Sequence, residues 1–225
     1  MGSGKVKENE KYILKDFHKG KMRLKTAENH LYLGDIVQNS GSSHLNIMSR
    51  VSKGRAIVRD ILQILEGTFF GSYYFEALVL MRESMLVSVL TNNLEVAFNI
   101  TSKDLKSLDQ IDMQLLREGL QVSSKASKSL ILLSMGICSI EFILKRKCIL
   151  YLQSLLKKNP SSLASKVFVQ MMKTPLSSDW INIVKRDLED IKIHLTFDQI
   201  ANISKENFKA IIRDACQNKC FIRLI

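Results

Sequence analysis

The sequence predicts a mainly α-helical domain with a short β-hairpin near its N-terminus, and three observations carry that expectation. Only two prolines, Pro160 and Pro175, and 10 glycines interrupt the 225 residues, whereas a many-stranded sandwich would need turn residues at short intervals. Leu, Ile, Lys and Ser are abundant, and Leu and Lys are good helix formers. Apolar residues also recur three and four positions apart over most of the chain, the spacing that lines them along one helical face. With 46% hydrophobic residues, the chain can bury a substantial core as one extended domain or two small ones.

Residues 1–30 are expected to form a basic, poorly ordered lead, in which Tyr12, Ile13 and Leu14 could make a short strand. Met22–Lys25 and Leu31–Val37, on either side of Ala27, Glu28 and Asn29, predict the hairpin. Gln38 to Ser43 is turn-like, and Ser43 is placed to cap the helix that follows. Leu45, Ile47, Met48, Val51, Val58, Ile61, Leu62 and Leu65 mark that first helix, with Gly67 as its stop. Phe69–Phe98 is one long helix or two, with Gly71 and the Asn92, Asn93 pair as possible breaks. Thr101 followed by Asp104 resembles a capping box, ahead of a stripe of Leu105, Leu108, Ile111, Leu115 and Leu116.

Residues 125–136 and 138–158 predict two helices joined near Gly136, the second ending before Asn159 and Pro160. Another run starts at Ser161 or Ser162 and reaches Lys173, ahead of Pro175. The cleanest amphipathic pattern puts Trp180, Ile183, Val184, Asp187, Leu188 and Ile191 on one face, with Ser178 as the expected cap and Trp180 expected to be buried. A last helix is expected from Glu206 to about Asn218.

Charge is the first functional clue. The chain carries 33 Lys and Arg against 22 Asp and Glu, a net charge of +11, and such a field attracts polyanions. Residues 1–60 hold 12 basic and 6 acidic groups, and residues 141–160 hold 5 and 1, so the basicity concentrates at the N-terminus and around Lys145–Lys158. The four cysteines, Cys138, Cys148, Cys216 and Cys220, follow no secreted framework and are expected as reduced thiols of an intracellular protein. The longest apolar stretch, Leu130–Leu144, is broken by Ser134, Ser139 and Glu141, too short and polar for a membrane span.

Catalytic chemistry finds little support. Two-metal work needs clustered carboxylates, but Asp109 with Asp112 and Asp187 with Asp190 lie three apart on helices, as solvated faces with neighbouring cations would. His18, His30, His44 and His194 are scattered. Cys216 and Cys220 lack a second ligand pair at metal-binding spacing. No catalytic residue, metal site, cofactor or small-molecule substrate is therefore expected. Binding fits better. Arg50, Lys53, Arg55 and Arg59 lie along the first helix, Arg55 and Arg59 sharing one face and Arg50 and Lys53 another. Lys145, Arg146 and Lys147, with Lys157 and Lys158, make a second basic cluster. Tyr12, Phe17 and Tyr32 put aromatic rings near the N-terminal cations.

The order of short motifs extends this reading. Tyr32, Leu33, Gly34, Asp35 and Ile36, then Asn46 and Ile47, Arg50 and Val51, and Lys53 and Gly54, look like the segment that follows the palm in reverse transcriptases of non-LTR retrotransposons. Phe70 and Gly71, Tyr74 to Glu76, Arg82 to Ser84, Asn93 with Glu95, Leu116 and Arg117, Asp179 and Trp180, and Asp187 and Leu188 continue the similarity in order, over about residues 30–225. The resemblance implies a thumb-like helical region over 31–120 and a C-terminal helical connection over 121–225. It also implies a partner, RNA, DNA or their hybrid, held by backbone contacts. The Tyr-x-Asp-Asp motif of the palm is not in the sequence, so polymerase activity is not implied. The alternative is a protein-interaction domain, or a decayed reading frame without biochemical function.

Overall fold

The computed structural model describes residues 12–17, 20–25, 29–32, 35–38, 42–68, 73–97, 100–173 and 180–224, and these are mainly helical. Strands β1 (Tyr12–Phe17) and β2 (Gly20–Lys25) pair antiparallel, as do β3 (Asn29–Tyr32) and β4 (Asp35–Gln38). The strands fall in the segments the sequence suggests, but Leu31–Val37, expected as one strand, is divided between β3 and β4, and the pairing differs. Met22–Lys25 folds back onto Tyr12–Phe17 rather than forward across Ala27–Asn29, and Leu31–Val37 is itself a hairpin with Tyr32 opposite Asp35.

Helix α1 (His44–Thr68) buries Ile47, Val51, Val58, Ile61 and Leu65, as its periodicity predicts. A Cβ on Gly54 would meet Leu90 Cδ2 at 2.9 Å and Ile111 Cγ2 at 3.0 Å, so glycine lets this turn of α1 lie directly against its neighbours. Helix α2 (Tyr74–Met81) runs into a π-helical stretch (Arg82–Val87) and then α3 (Ser88–Thr91). The break falls at Asn92 and Asn93, the latter left-handed at φ +54°, before a 3₁₀ turn at Leu94–Val96. Helix α4 (Ser102–Gly119) opens with the expected capping box: the Asp104 amide donates to Thr101 Oγ1 at 3.2 Å and the Thr101 amide to Asp104 Oδ2 at 3.0 Å.

Then follow α5 (Lys128–Ser134), α6 (Ile140–Leu156), α7 (Leu163–Lys173), α8 (Trp180–Asp190), α9 (Phe197–Asn202) and α10 (Lys205–Leu224). Helix α9 escapes the periodicity argument because it is under two turns long. Its signal was the capping box of Thr196 and Gln199. The proposed cap Ser178 lies outside the described residues.

A first core joins α1, α2, the π-helical stretch, α3 and α4 to Ile140, Ile143 and Leu144 of α6. A second joins Phe142, Ile149, Leu152 and Leu155 of α6 to α8 and α10, with Phe168 of α7 and Ile200 of α9. Helix α6 thus lends residues to both, and the first core draws on both of the stretches 31–120 and 121–225. Trp180 is buried, its indole N–H donating to the Glu95 carbonyl at 2.8 Å. Among the described residues, no helix is long and apolar enough to cross a membrane.

Candidate nucleic-acid interface

The seven cations singled out by sequence do not converge on one surface. Arg50 is buried: its guanidinium pairs with Asp35 of β4 and donates to the Val89 carbonyl at 2.7 Å. Asn93 holds the other oxygen of Asp35 at 2.8 Å, so Arg50 fastens a hairpin and the break after α3 to α1. Lys145 is likewise tied, at 2.6 Å to Asp190, 3.1 Å to Glu141 and 3.7 Å to Asp187. Burial works against its ammonium, but hydrogen bonds to Asp190 and Glu141 outweigh that and hold its pKa above the ordinary lysine value. These two are corrected from candidate phosphate contacts to structural cations.

Lys145, Arg146 and Lys147 are consecutive in sequence but fan out around α6, because successive helical residues turn by about 100°. Lys145 meets the acids of α8. Arg146 sits close enough to Cys138 and Cys216 to influence their thiols. Lys147 is half-buried and held below the ordinary lysine range, by burial first and then, against the pull of Glu95, by Arg50 and Arg146. A compact basic triplet in sequence is thus three separate environments. Lys53, Arg55 and Arg59 are exposed on α1 and have no carboxylate partner among the described residues. Of the aromatic residues suggested as stacking platforms, Tyr12 and Phe17 lie in β1 and Tyr32 in β3.

The carboxylate pairs are not the solvated faces the spacing suggested. Asp112 is buried and takes a bidentate grip from Arg82, at 2.7 and 2.8 Å. Arg82, itself fully buried, also donates to the Cys138 carbonyl at 2.9 Å. Asp109 is held by Lys128 and pushed above the usual carboxylate range by burial. Asp187 is buried on the inner face of α8, and burial, with Asp190 and Glu141 against Lys145 and Arg186, pushes it up to about 6. Sequence reasoning missed these because alternation of charge on a helix gives no sign of which acids turn inward. Asp187 alone carried a visible signal, by sitting in the apolar stripe. His44 Nδ1 lies 2.7 Å from Asp104 Oδ1, and the Thr101 hydroxyl donates to the other oxygen of that carboxylate at 2.7 Å as part of the α4 cap. Among the described residues, no group of three or more His, Cys, Asp or Glu side chains is placed to hold a metal ion.

Comparisons with family models, with curated proteins and with solved structures find no match to this chain. Several residues of the short motifs noted in the sequence contact one another in the fold. Asp35, Arg50 and Asn93 form one network, Arg82 one side of a buried ion pair, and Glu95 and Trp180 one hydrogen bond.

Proposed function

We propose that this chain is a non-catalytic helical module, similar in role to the thumb and connection of a retroelement reverse transcriptase, that holds nucleic acid by its backbone without reading sequence. The observation that carries the reading is the set of three exposed cations on α1. Among the described residues, Lys53, Arg55 and Arg59 have no carboxylate partner, on a chain of net charge +11, while Arg50 and Lys145 are paired internally. Catalysis has no part in this reading, since Asp109, Asp112, Asp187 and Asp190 are each held by a cation.

Fluorescence anisotropy with a labelled duplex, titrated across salt, tests the proposal. If about four or five phosphates are engaged, log K falls against log salt with a slope near −4, and affinity drops more than a hundredfold between about 50 and 200 mM. The variant Lys53→Gln/Arg55→Gln/Arg59→Gln should bind with a slope shallower by up to about 3. A folded variant that binds with the parent slope would show that α1 is not the surface.

A second reading has its own observation. Phe75 and Leu80 are exposed at a hollow of about 750 Å³ beside α2, lined also by Val79, Leu120 and Met135 together with Glu76 and Glu83. Clustered apolar exposure of that kind marks a protein-interaction surface. Failure of the wild-type chain to bind duplex even at low salt would make this the better reading.

A further inference from the structure

Helices α2 and α7 each leave apolar side chains in solvent, and the charges beside them are opposite in sign. Phe75 and Leu80 of α2 are exposed at the hollow described above, while Leu163 and Val167 of α7 are 78% and 45% exposed. Glu76 and Glu83 line the hollow and are the only acids from Tyr74 to Val87. The one cation of that stretch, Arg82, is buried in the grip of Asp112, with Nη1 3.9 Å from Glu83. Leu163–Lys173 carries Lys166 and Lys173 and no acid, and its three- and four-residue spacings put Leu163, Lys166, Val167 and Lys173 on one side of α7. Each charged pair is seven residues apart, about two helical turns or roughly 10 Å, so the two pairs match in length. Among the described residues, Glu76, Lys166 and Lys173 have no ion-pair partner. Helix α2 packs in the first core and α7 against the second, and since both faces are exposed, neither covers the other within one chain.

We propose that the hollow beside α2 takes α7 of a second copy of this chain, so that copies associate head to tail. The proposal rests on the reading of this hollow as a protein-interaction surface and names its occupant; it is independent of the α1 cations. A second copy fits because the chain itself carries the complement: an apolar pair to lie against Phe75 and Leu80, and two lysines at the spacing of the two glutamates. Burial of Leu163 and Val167 supplies the attraction, in the manner of a helix laid in a groove. The ion pairs stay at a wet rim, where each contributes little energy. Their role is to set the register of α7 and to reject a partner of like charge. Two different faces meet, so the contact is heterologous.

Sedimentation velocity of the full chain, freed of nucleic acid, tests the proposal. Two short helices bury less than the roughly 1,600 Å² of a standard interface, so association is weak and is read between about 5 and 200 µM. The weight-average sedimentation coefficient of the parent should rise across that range. Glu76→Lys/Glu83→Lys and Lys166→Glu/Lys173→Glu each set like charges against each other, so each alone should stay monomeric. Mixed in equal amounts they should associate again, because the lysine-lined hollow of one meets the acidic α7 of the other, and the reverse. Each double substitution changes the net charge of +11 by four, so both variants stay positive and overall charge does not draw them together. A monomeric parent, folded reversals that associate as the parent does, or a mixture no more associated than its components would overturn the proposal. Where a reversal unfolds, Leu163→Ser at its exposed position should weaken association about tenfold, and an unchanged association would equally overturn it. A monomeric parent removes only this occupant, since the broader interaction reading is decided separately by the duplex titration.

Discussion

Arg82 and Arg59 are the same side chain on helices that share one core, yet one is fully buried against Asp112 while the other stands in solvent without a carboxylate partner among the described residues. The contrast extends to Arg50 and Lys145 on the inner side and Lys53 and Arg55 on the outer. Net charge counts all of them alike. Only the helix face separates cations that hold the fold from cations left to meet a polyanion, so a +11 chain presents a smaller free basic surface than its composition suggests.

Breaking the inner side has the largest expected effect. Arg82→Met leaves the buried Asp112 carboxylate without its bidentate partner, and an uncompensated buried charge costs about 3–5 kcal/mol. Urea unfolding followed by circular dichroism measures it. Adding Asp112→Leu removes the orphaned charge and should restore most of that loss. A cost below about 1 kcal/mol for the single substitution would mean that the pair does not hold α4 to the π-helical stretch.

The sequence shows the helices more clearly than the site, for a physical reason. Helix positions follow from periodicity and caps, both local: the Thr101 and Asp104 box, the buried positions Ile47 to Leu65, and Trp180 at the head of the α8 stripe all sit where the pattern puts them. Strand partners are non-local, so the hairpin pairing was misassigned, and Leu31–Val37, read as one strand, is divided between β3 and β4. Arg50 was taken for a phosphate contact because Asp35 lies 15 residues away, outside its helix; for Lys145 the partner Glu141 stands one turn back in α6, but Asp190 lies 45 residues away and nothing in α6 names it.

Lys145 differs from Arg82 in sharing one ammonium among three acids, and it does not offset the burial that raises the Asp187 pKa, so this region is sensitive to pH. Unfolded, Asp187 loses its proton near 3.8; folded, it keeps it up to about 6. Between those values only the folded state carries the proton, so Asp187 contributes stability below about pH 4 that is lost as the pH rises through about 6. Asp187→Asn does not titrate and leaves Lys145 bound to Asp190 and Glu141. Its stability relative to the parent should therefore rise by on the order of 2 kcal/mol between pH 4 and pH 7. A difference that stays flat across that range would show that Asp187 titrates like an exposed carboxylate.

The outer cations should do least to stability, and that small effect sharpens the comparison most. Glutamine has nearly the helix propensity of lysine and arginine, so Lys53→Gln/Arg55→Gln/Arg59→Gln preserves the backbone preference of α1. The three residues lie well inside α1, beyond the reach of the helix-end charges. Arg55 and Arg59 are one turn apart, a like-charge pair that costs a few tenths of a kcal/mol at low salt. Removing it should leave the protein within about 0.5 kcal/mol of the parent, on the stable side, with the difference shrinking as salt screens the repulsion. A loss above about 1 kcal/mol in urea unfolding would mean that these side chains hold partners as Arg50 and Lys145 do. The distinction between inner and outer cations, and with it the basic surface of α1, would then fall.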